Sequence, residues 1–345
     1  MQTTLQTEDL NSLARDYFVS WEHLPYRSLY DNYSNAALAY LSQFPEIERG
    51  SYSPSGSLFL YTEPDMLVGV RQLFSESSNF GVHCARLEPA VFKHPDPYGI
   101  CEIEPAARFL RSVISTLEGP DHLSAIADSS DIFTQHVLQT SGFRLADTIA
   151  GYHIPLAKLP AFESDPAIRT ARPDDVPRLS AIATACFSQC HLNINRFNAE
   201  PAFDNDVAGR TYGNWFTRAV LERDADLVLV FDDGNLAGFL TLRLPPERET
   251  KYGVSIGRFV LAAVDPEHHG KGIYRRLIKT GLKWMQDRDV RFAEGKMHLS
   301  NHGPINVWQS FQARLALTYH TFHWTKNLIA GLNRLEAALA TDLGT

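Results

Sequence analysis

The stretch FVLAAVDPEHHGKGIYRRLI, Phe259 to Ile278, decides the fold. It opens on six apolar residues, passes through Asp265 and Pro266, and resumes apolar spacing after glycines 270 and 272. That pattern predicts a strand Phe259–Val264, a turn, and a helix Gly272–Arg288. The apolar helix face is Ile273, Leu277, Ile278, Gly281, Leu282 and Met285. Glycines at the helix start leave backbone N–H groups uncovered, and those groups with the helix dipole favour an anion such as a pyrophosphate. Lys271, Arg275 and Arg276 add positive charge nearby. The motif is no P-loop, because no GK[ST] follows, and it lacks the third glycine of a dinucleotide fingerprint. A Gly-x-Gly of this kind is also a common helix-start turn, so its weight comes from what surrounds it.

Downstream, Val290–Leu299 reads as a strand, Pro304–Gln312 as a short helix and Leu315–Trp324 as a further strand. Between the first two lies SNHGPINVWQSF, Ser300 to Phe311, in which Asn301 precedes Trp308 by seven residues. Lys326–Leu343 has the apolar stripe of an amphipathic helix. Upstream, Leu227–Phe231 and Leu236–Leu244 flank the turn DDGN as a hairpin. Asp174–Phe187 and Thr211–Arg223 read as helices, separated by a polar loop His191–Asp206.

A boundary falls in LAKLPAFESDPAIRTARPDD, Leu156 to Asp175, where prolines break regular structure. It divides residues 1–155 from a second domain, 167–345. In the first part, Leu58–Tyr61, Leu67–Val70 and Ser78–Phe92 read as strands and Pro105–Leu117 as a helix. HLSAIAD (His122–Asp128) reads as a buried strand, followed by a helix, Gly142 at its end, and a hairpin-like strand pair. The two parts share a pattern that suggests a duplicated unit.

The bulk numbers exclude some classes. At 345 residues the chain can bury a full core, and a net charge of −8 argues against a nucleic-acid backbone as partner. A small cationic or neutral substrate is easier to accommodate. The four cysteines, 84, 101, 186 and 190, are too few and scattered for a disulfide framework. No metal site is expected from their spacing. No secretory signal and no membrane-length apolar run is present, so a cytoplasmic protein is expected.

The order strand, glycine turn, helix, strand ending in Asn301, and helix with Trp308 resembles the GNAT acetyltransferase fold. The resemblance implies a mixed, mostly antiparallel α/β sheet with splayed central strands, preceded by a smaller α/β GNAT-like N-terminal domain. Three further stretches are similar to the TDP-fucosamine acetyltransferase family: SSNFGVHCARL (Ser77–Leu87), LQTSGFRLADTIAGYHIPL (Leu138–Leu156) and RTYGNWFTRAV (Arg210–Val220). Together they span about residue 75 to 324, and residues 1–70 have no counterpart.

What the resemblance implies is acyl transfer from acetyl-CoA or another acyl-CoA to a primary amine. The acceptor would be a small molecule, in this family a nucleotide-linked amino sugar. Pyrophosphate contacts would fall on His269, Gly270, Lys271, Gly272 and Tyr274, pantetheine contacts on Leu261, Ala262 and Val264, and coenzyme A would also meet Asn301 and Trp308. Arg196, Arg210 and Tyr212 would grip the acceptor. Nucleic acid and membrane are not expected partners. Residues 1 to about 69 are open between an acceptor wall and a homodimer interface.

Three positions depart from the family pattern. Trp308 stands where a tyrosine is usual, Gln312–Ala313 replaces Gly-Phe, and Tyr274 replaces a glycine or alanine. An indole N–H donates a hydrogen bond but does not give up its proton, so Trp308 is no general acid. Tyr319, His320 and Ser300 are the candidate donors and His298 the candidate base, with His302 as a second. The competing expectation is a protein that binds acyl-CoA without turning it over, or an interaction protein that does not bind it.

Overall fold

A computed structural model describes residues 58–63, 66–92, 100–117, 119–188, 195–250 and 254–326. The expected C-terminal helix beyond Lys326, part of the polar loop after His191, and Cys190 lie outside those residues. The chain forms two compact units. Among the described residues, one holds 58–148, 200–202 and 317–326, and the other 149–199 and 203–316. No helix among the described residues is long and apolar enough to cross a membrane.

The first unit is built on β1 (Leu58–Glu63), β2 (Met66–Gln72), β3 (Cys84–Phe92) and β4 (His122–Asp128), closed by residues of the last strand, β11 (Arg314–Thr325). All neighbours are antiparallel except β3 and β4. Helices α1 (Phe74–Phe80), α2 (Ile100–Thr116) and α3 (Ile132–Thr140) complete it. Leu110 and Val113 of α2 and Val137 and Leu138 of α3 pack with Leu123, Ala125 and Phe322 in one core.

The second unit runs β6 (Ile168–Thr170), β7 (Leu227–Asp232), β8 (Leu236–Arg243), β9 (Ile256–Val264), β10 (Phe292–His298) and then β5 (Arg144–Pro155) across its sheet. Only β9 and β10 are parallel. Helices α4 (Val176–Ser188) and α5 (Asn205–Leu221) bury Leu179, Ile182 and Phe216 in one cluster with Phe239, Leu261 and Ala263. A short α6 (Glu247–Thr250) precedes β9. Helices α7 (Ile273–Gln286) and α8 (His302–Ser310) share a second cluster. There Leu277, Ile278, Leu282 and Met285, the face read from sequence, meet Trp308 and Phe259.

The two units repeat one plan. β3 and β9 each have 9 residues, β4 and β10 each 7, α3 and α8 each 9, and β5 and β11 each 12. In both, the parallel pair holds for its first four residues only, ending at Leu87↔Ala125 and at Phe259↔Gly295. In both, the longer strand carries a register shift at that point against its other neighbour.

Two sequence expectations are corrected. Ser78–Phe92 is not one strand: residues 74–80 form a helix closed by Gly81 in the left-handed region (φ 68°), and only then does β3 begin. The expected hairpin-like pair after Gly142 is one 12-residue strand, β5. Gly151, in the middle of that strand, pairs with Lys296 and is extended.

Gly295 sits where β9 and β10 part, and a Cβ placed on it would fall inside the Trp308 indole. Gly295→Ala should therefore destabilise the protein by about 1–3 kcal/mol, as overpacking does. A urea midpoint lowered without change of m value is the expected result.

Candidate active site

The site begins with a β-bulge. Thr241 of β8 pairs with Leu261 but Leu242 pairs with Phe259, so Val260 is the extra residue on β9. The bulge flips the strand's faces: Phe259 packs into the α7/α8 cluster, while Leu261 and Ala263 face the α4/α5 cluster. The Thr241 hydroxyl accepts from the Leu261 N–H at 3.0 Å and donates to the Leu261 carbonyl at 3.3 Å. Beyond the bulge β9 runs on to Val264 and β10 to His298 without pairing to each other. The sheet opens there, and backbone groups of β9 on the side away from β8 are left for another partner.

The opening leads to a cavity of about 480 Å³. Its floor is Ala262, Ala263 and Val264, one side is the turn His268–Gly270 with the start of α7, and the other is Asn301, Gly303, Pro304 and Val307 of α8. Gly270 and Gly272 have φ 77° and 76°, a region that disfavours any side chain. Gly272 is the N-cap of α7 and no side chain caps that helix end. The first intrahelical bond recorded there is Arg276 N–H to the Gly272 carbonyl, at 3.1 Å. The N–H groups before Arg276 belong to residues that line the cavity, Gly272 to Arg275, and N–H groups at a helix start suit a phosphate.

Charges near that turn are unequal. Arg276 is bound to Asp165 at 2.6 and 2.7 Å and stacks on Phe231. Its role is to fix α7 against the preceding segment. Arg275 lines the cavity, where it donates to Ser310 at 2.8 Å. Lys271 is exposed. His269 turns its ring back to the Val264 carbonyl at 2.9 Å. The same carbonyl accepts from the Cys186 thiol at 3.3 Å. Burial, with Asp265 nearby, pushes that thiol up to about 11, so Cys186 is a neutral lining group and not a nucleophile.

The Trp308 question has a geometric answer. Trp308 is fully buried, edge-on to Phe259 with ring centroids 5.1 Å apart, and is not in the cavity wall. Its indole N–H donates to the Tyr274 hydroxyl at 3.0 Å, and Tyr274 does line the cavity. The two departures from the family pattern are thus one hydrogen-bonded pair. Burial pushes the Tyr274 phenol up to about 12, against a smaller opposite pull from the Trp308 N–H. The phenol therefore stays protonated and has an O–H to donate across the ordinary pH range.

Other predicted residues are spread more widely. Asn301 lines the cavity as N-cap of α8, and its side chain makes no cap bond. Leu261 is buried, with both backbone polar groups met by Thr241. The His298 Nδ1 accepts from the Ser300 hydroxyl at 2.6 Å and N–H at 3.1 Å. Tyr319 and His320 belong to the first unit, paired with Asp128 and Ala127, and His320 meets Thr148 at 3.0 Å. Arg196 lies over Phe197, 4.1 Å from its centroid. Tyr212 stacks on Phe187 at 3.9 Å, and Arg210 is exposed on α5. None of these last six is in the cavity wall.

Glu294, on the strand that leads to His298, is a structural charge. It is buried on the paired part of β10, 2.9 Å from His153, 3.5 Å from Lys296 and 3.7 Å from Arg258. Burial pushes its carboxyl up, but Lys296, His153 and Arg258 outweigh it and hold the group well below the usual range.

The acetyltransferase (GNAT) family model matches residues 190–311, the segment that contains this opening and the glycine turn. No curated protein matches the chain in sequence. Several solved structures share its fold. A GCN5-related N-acetyltransferase from Sphaerobacter thermophilus is 15% identical, with TM-score 0.56 over 94% of this chain and 95% of that one. A GNAT-family acetyltransferase from Colwellia psychrerythraea is 13% identical, with TM-score 0.52 over 94% and 100%. A tandem GNAT protein from the clavulanic acid biosynthesis pathway is 11% identical, with TM-score 0.54 over 94% and 97%. The fold is the GNAT fold; residues 190–311 match the GNAT family model, and a further α/β region precedes them. That family suggests acyl transfer from an acyl-CoA.

Two outcomes test the site. Thr241→Val keeps the shape but leaves the buried Leu261 N–H without its acceptor, which should cost about 1–3 kcal/mol of stability in urea unfolding. Gly270→Glu combined with Gly272→Glu puts two carboxylates at the anion position. Calorimetry should show acetyl-CoA binding in the parent and none in that variant.

Proposed function

We propose that this chain is an N-acyltransferase that moves an acetyl or longer acyl group from acyl-CoA to a primary amine in a ternary complex. The observation that carries the reading is the sheet opening at the Val260 bulge, continuous with a side-chain-free helix N-terminus. The open edge of β9 suits the amide-bearing pantetheine arm, and the α7 terminus suits the pyrophosphate. Ala262, Val264, Gly270, Gly272, Tyr274 and Asn301 are the coenzyme contacts on this reading, with Arg275 as the phosphate-side cation. Trp308 acts through Tyr274.

In the reaction the amine nitrogen attacks the thioester carbonyl carbon and a tetrahedral intermediate forms. Its collapse breaks the C–S bond, and the proton lost by the nitrogen ends on the coenzyme A sulfur. Tyr274 supplies the donor for that sulfur as negative charge builds on it, with the Trp308 N–H holding the phenol oxygen in place. Orientation of amine and thioester in one cavity supplies much of the rate. His298, through the ring nitrogen that Ser300 leaves available, is the base for the amine. The acceptor is a small-molecule amine of the amino-sugar class, by resemblance to TDP-fucosamine acetyltransferases; Arg196, Arg210 and Tyr212, which do not line the cavity, could meet only a part of it that extends beyond the cavity.

Loss of the usual tyrosine at position 308 favours one second reading, an acyl-CoA binder without turnover. An amine panel with free-thiol readout separates the two. For the enzyme, Tyr274→Phe should lower kcat by about 10²-fold or more and leave the acetyl-CoA dissociation constant unchanged. Full turnover in that variant would remove Tyr274 from the chemistry. Binding with no turnover on any amine would support the second reading, and no binding of acetyl-CoA or longer acyl-CoAs would sink both.

A further inference from the structure

His122, Glu200 and His323 meet inside the first unit, far apart in sequence and outside everything the acyl-transfer reading uses. His122 opens β4, and His323 lies on β11 opposite Ser124. In the antiparallel β4/β11 pair the two histidines are diagonal neighbours on one face, with ring centroids 4.5 Å apart. All three side chains are nearly inaccessible, 1–2% exposed. One potential ligand atom from each lies within 4.8 Å of the other two.

The spacing is informative. Glu200 Oε2 lies 3.2 Å from His323 Nδ1 and 3.9 Å from His122 Nδ1. A charge-assisted hydrogen bond would draw each pair to about 2.7–2.9 Å. A tetrahedral metal with bonds of about 2.0–2.1 Å instead holds its ligand atoms about 3.3–3.4 Å apart. The 3.2 Å separation sits near the second value, and the 3.9 Å separation is longer than either. The other carboxylate oxygen is oriented from outside: Glu200 Oε1 accepts from the Ala202 N–H at 3.2 Å, and Arg144 spans both oxygens at 3.3 and 3.5 Å. Ligating carboxylates are commonly held in this way by a surrounding shell. Thr325 Oγ1, 3.3 Å from His122 Nδ1, adds a further oxygen beside the cluster.

We propose that His122, Glu200 and His323 bind one divalent transition-metal ion of the zinc type, as a clip joining three distant chain segments of the first unit. Two imidazoles with one carboxylate suit zinc and its first-row neighbours, and not magnesium or calcium, which take all-oxygen sets. The burial of all three side chains points to a structural ion. The fourth position falls to the Thr325 hydroxyl or to a water. The site does not depend on the acyltransferase reading.

The test uses the full chain, stripped with a chelator and dialysed. Titration with zinc chloride should show one equivalent bound and a raised melting temperature. Cobalt(II) in its place should give the visible d–d bands of a four-coordinate site. Glu200→Gln and His323→Ala should each weaken zinc binding by at least about 100-fold, because each removes a ligand. Equal zinc binding by parent and variants would place the ion on other histidines and overturn the proposal. Should the variants fail to fold, the parent decides: no bound equivalent and no melting shift with zinc would also overturn it.

Discussion

The site depends on one backbone irregularity, the extra residue at Val260. A β-strand that alternated without fault would keep Phe259, Leu261 and Ala263 on one face. The bulge sends Phe259 one way and the other two the other way, so a single strand serves both cores of the second unit. It also ends the parallel pairing with β10 after Gly295. A bulge leaves backbone groups unmatched, and here the Thr241 hydroxyl answers both the N–H and the C=O of Leu261. The opening is therefore a stable feature of the sheet, satisfied on its β8 side and available on the other.

The same physics explains the exchange between positions 274 and 308. Trp308 fills the space beside Gly295 and Phe259, where its bulk suits a core and its N–H needs an acceptor. Tyr274, one residue into the helix from Ile273, reaches back to supply that acceptor at 3.0 Å. A phenol oxygen is thereby held at the cavity wall from α7. Position 308 has no hydroxyl, but position 274 places one at the cavity wall.

Repetition of the plan in both units shows how the chemistry is separated from the scaffold. β3 repeats the length of β9, the four-residue parallel pairing and the register shift. What the first unit carries at the start of β4 is different: two histidines and a glutamate packed together and closed from water. Burial would raise the Glu200 carboxyl, but His323 and His122 hold it down near 2, so it is an anion there. One fold plan thus frames an open glycine turn in one unit and a closed cluster in the other.

Much was legible in the sequence, for local reasons. The helix face of α7, the hairpin at DDGN, the glycine turn and the segments around Asn301 follow from periodicity and turn chemistry, which act over a few residues. The helix over Phe74–Phe80 was missed because FSESSNF is mostly polar and carries no helical apolar period, and β5 was read as two strands where it is one. Other features had no local signal. Cys186 joins the cavity through Val264, 78 residues away, and Trp308 meets Tyr274 across 34. His323 reaches Glu200 across 123. The sequence by itself determined most of the second unit's elements and the glycine turn, because glycine conformations and apolar spacing are properties of short segments. Only the tertiary structure decided where the sheet opens, which hydroxyl faces the cavity and which buried charges meet, because those depend on strand register and on packing between segments far apart in the chain.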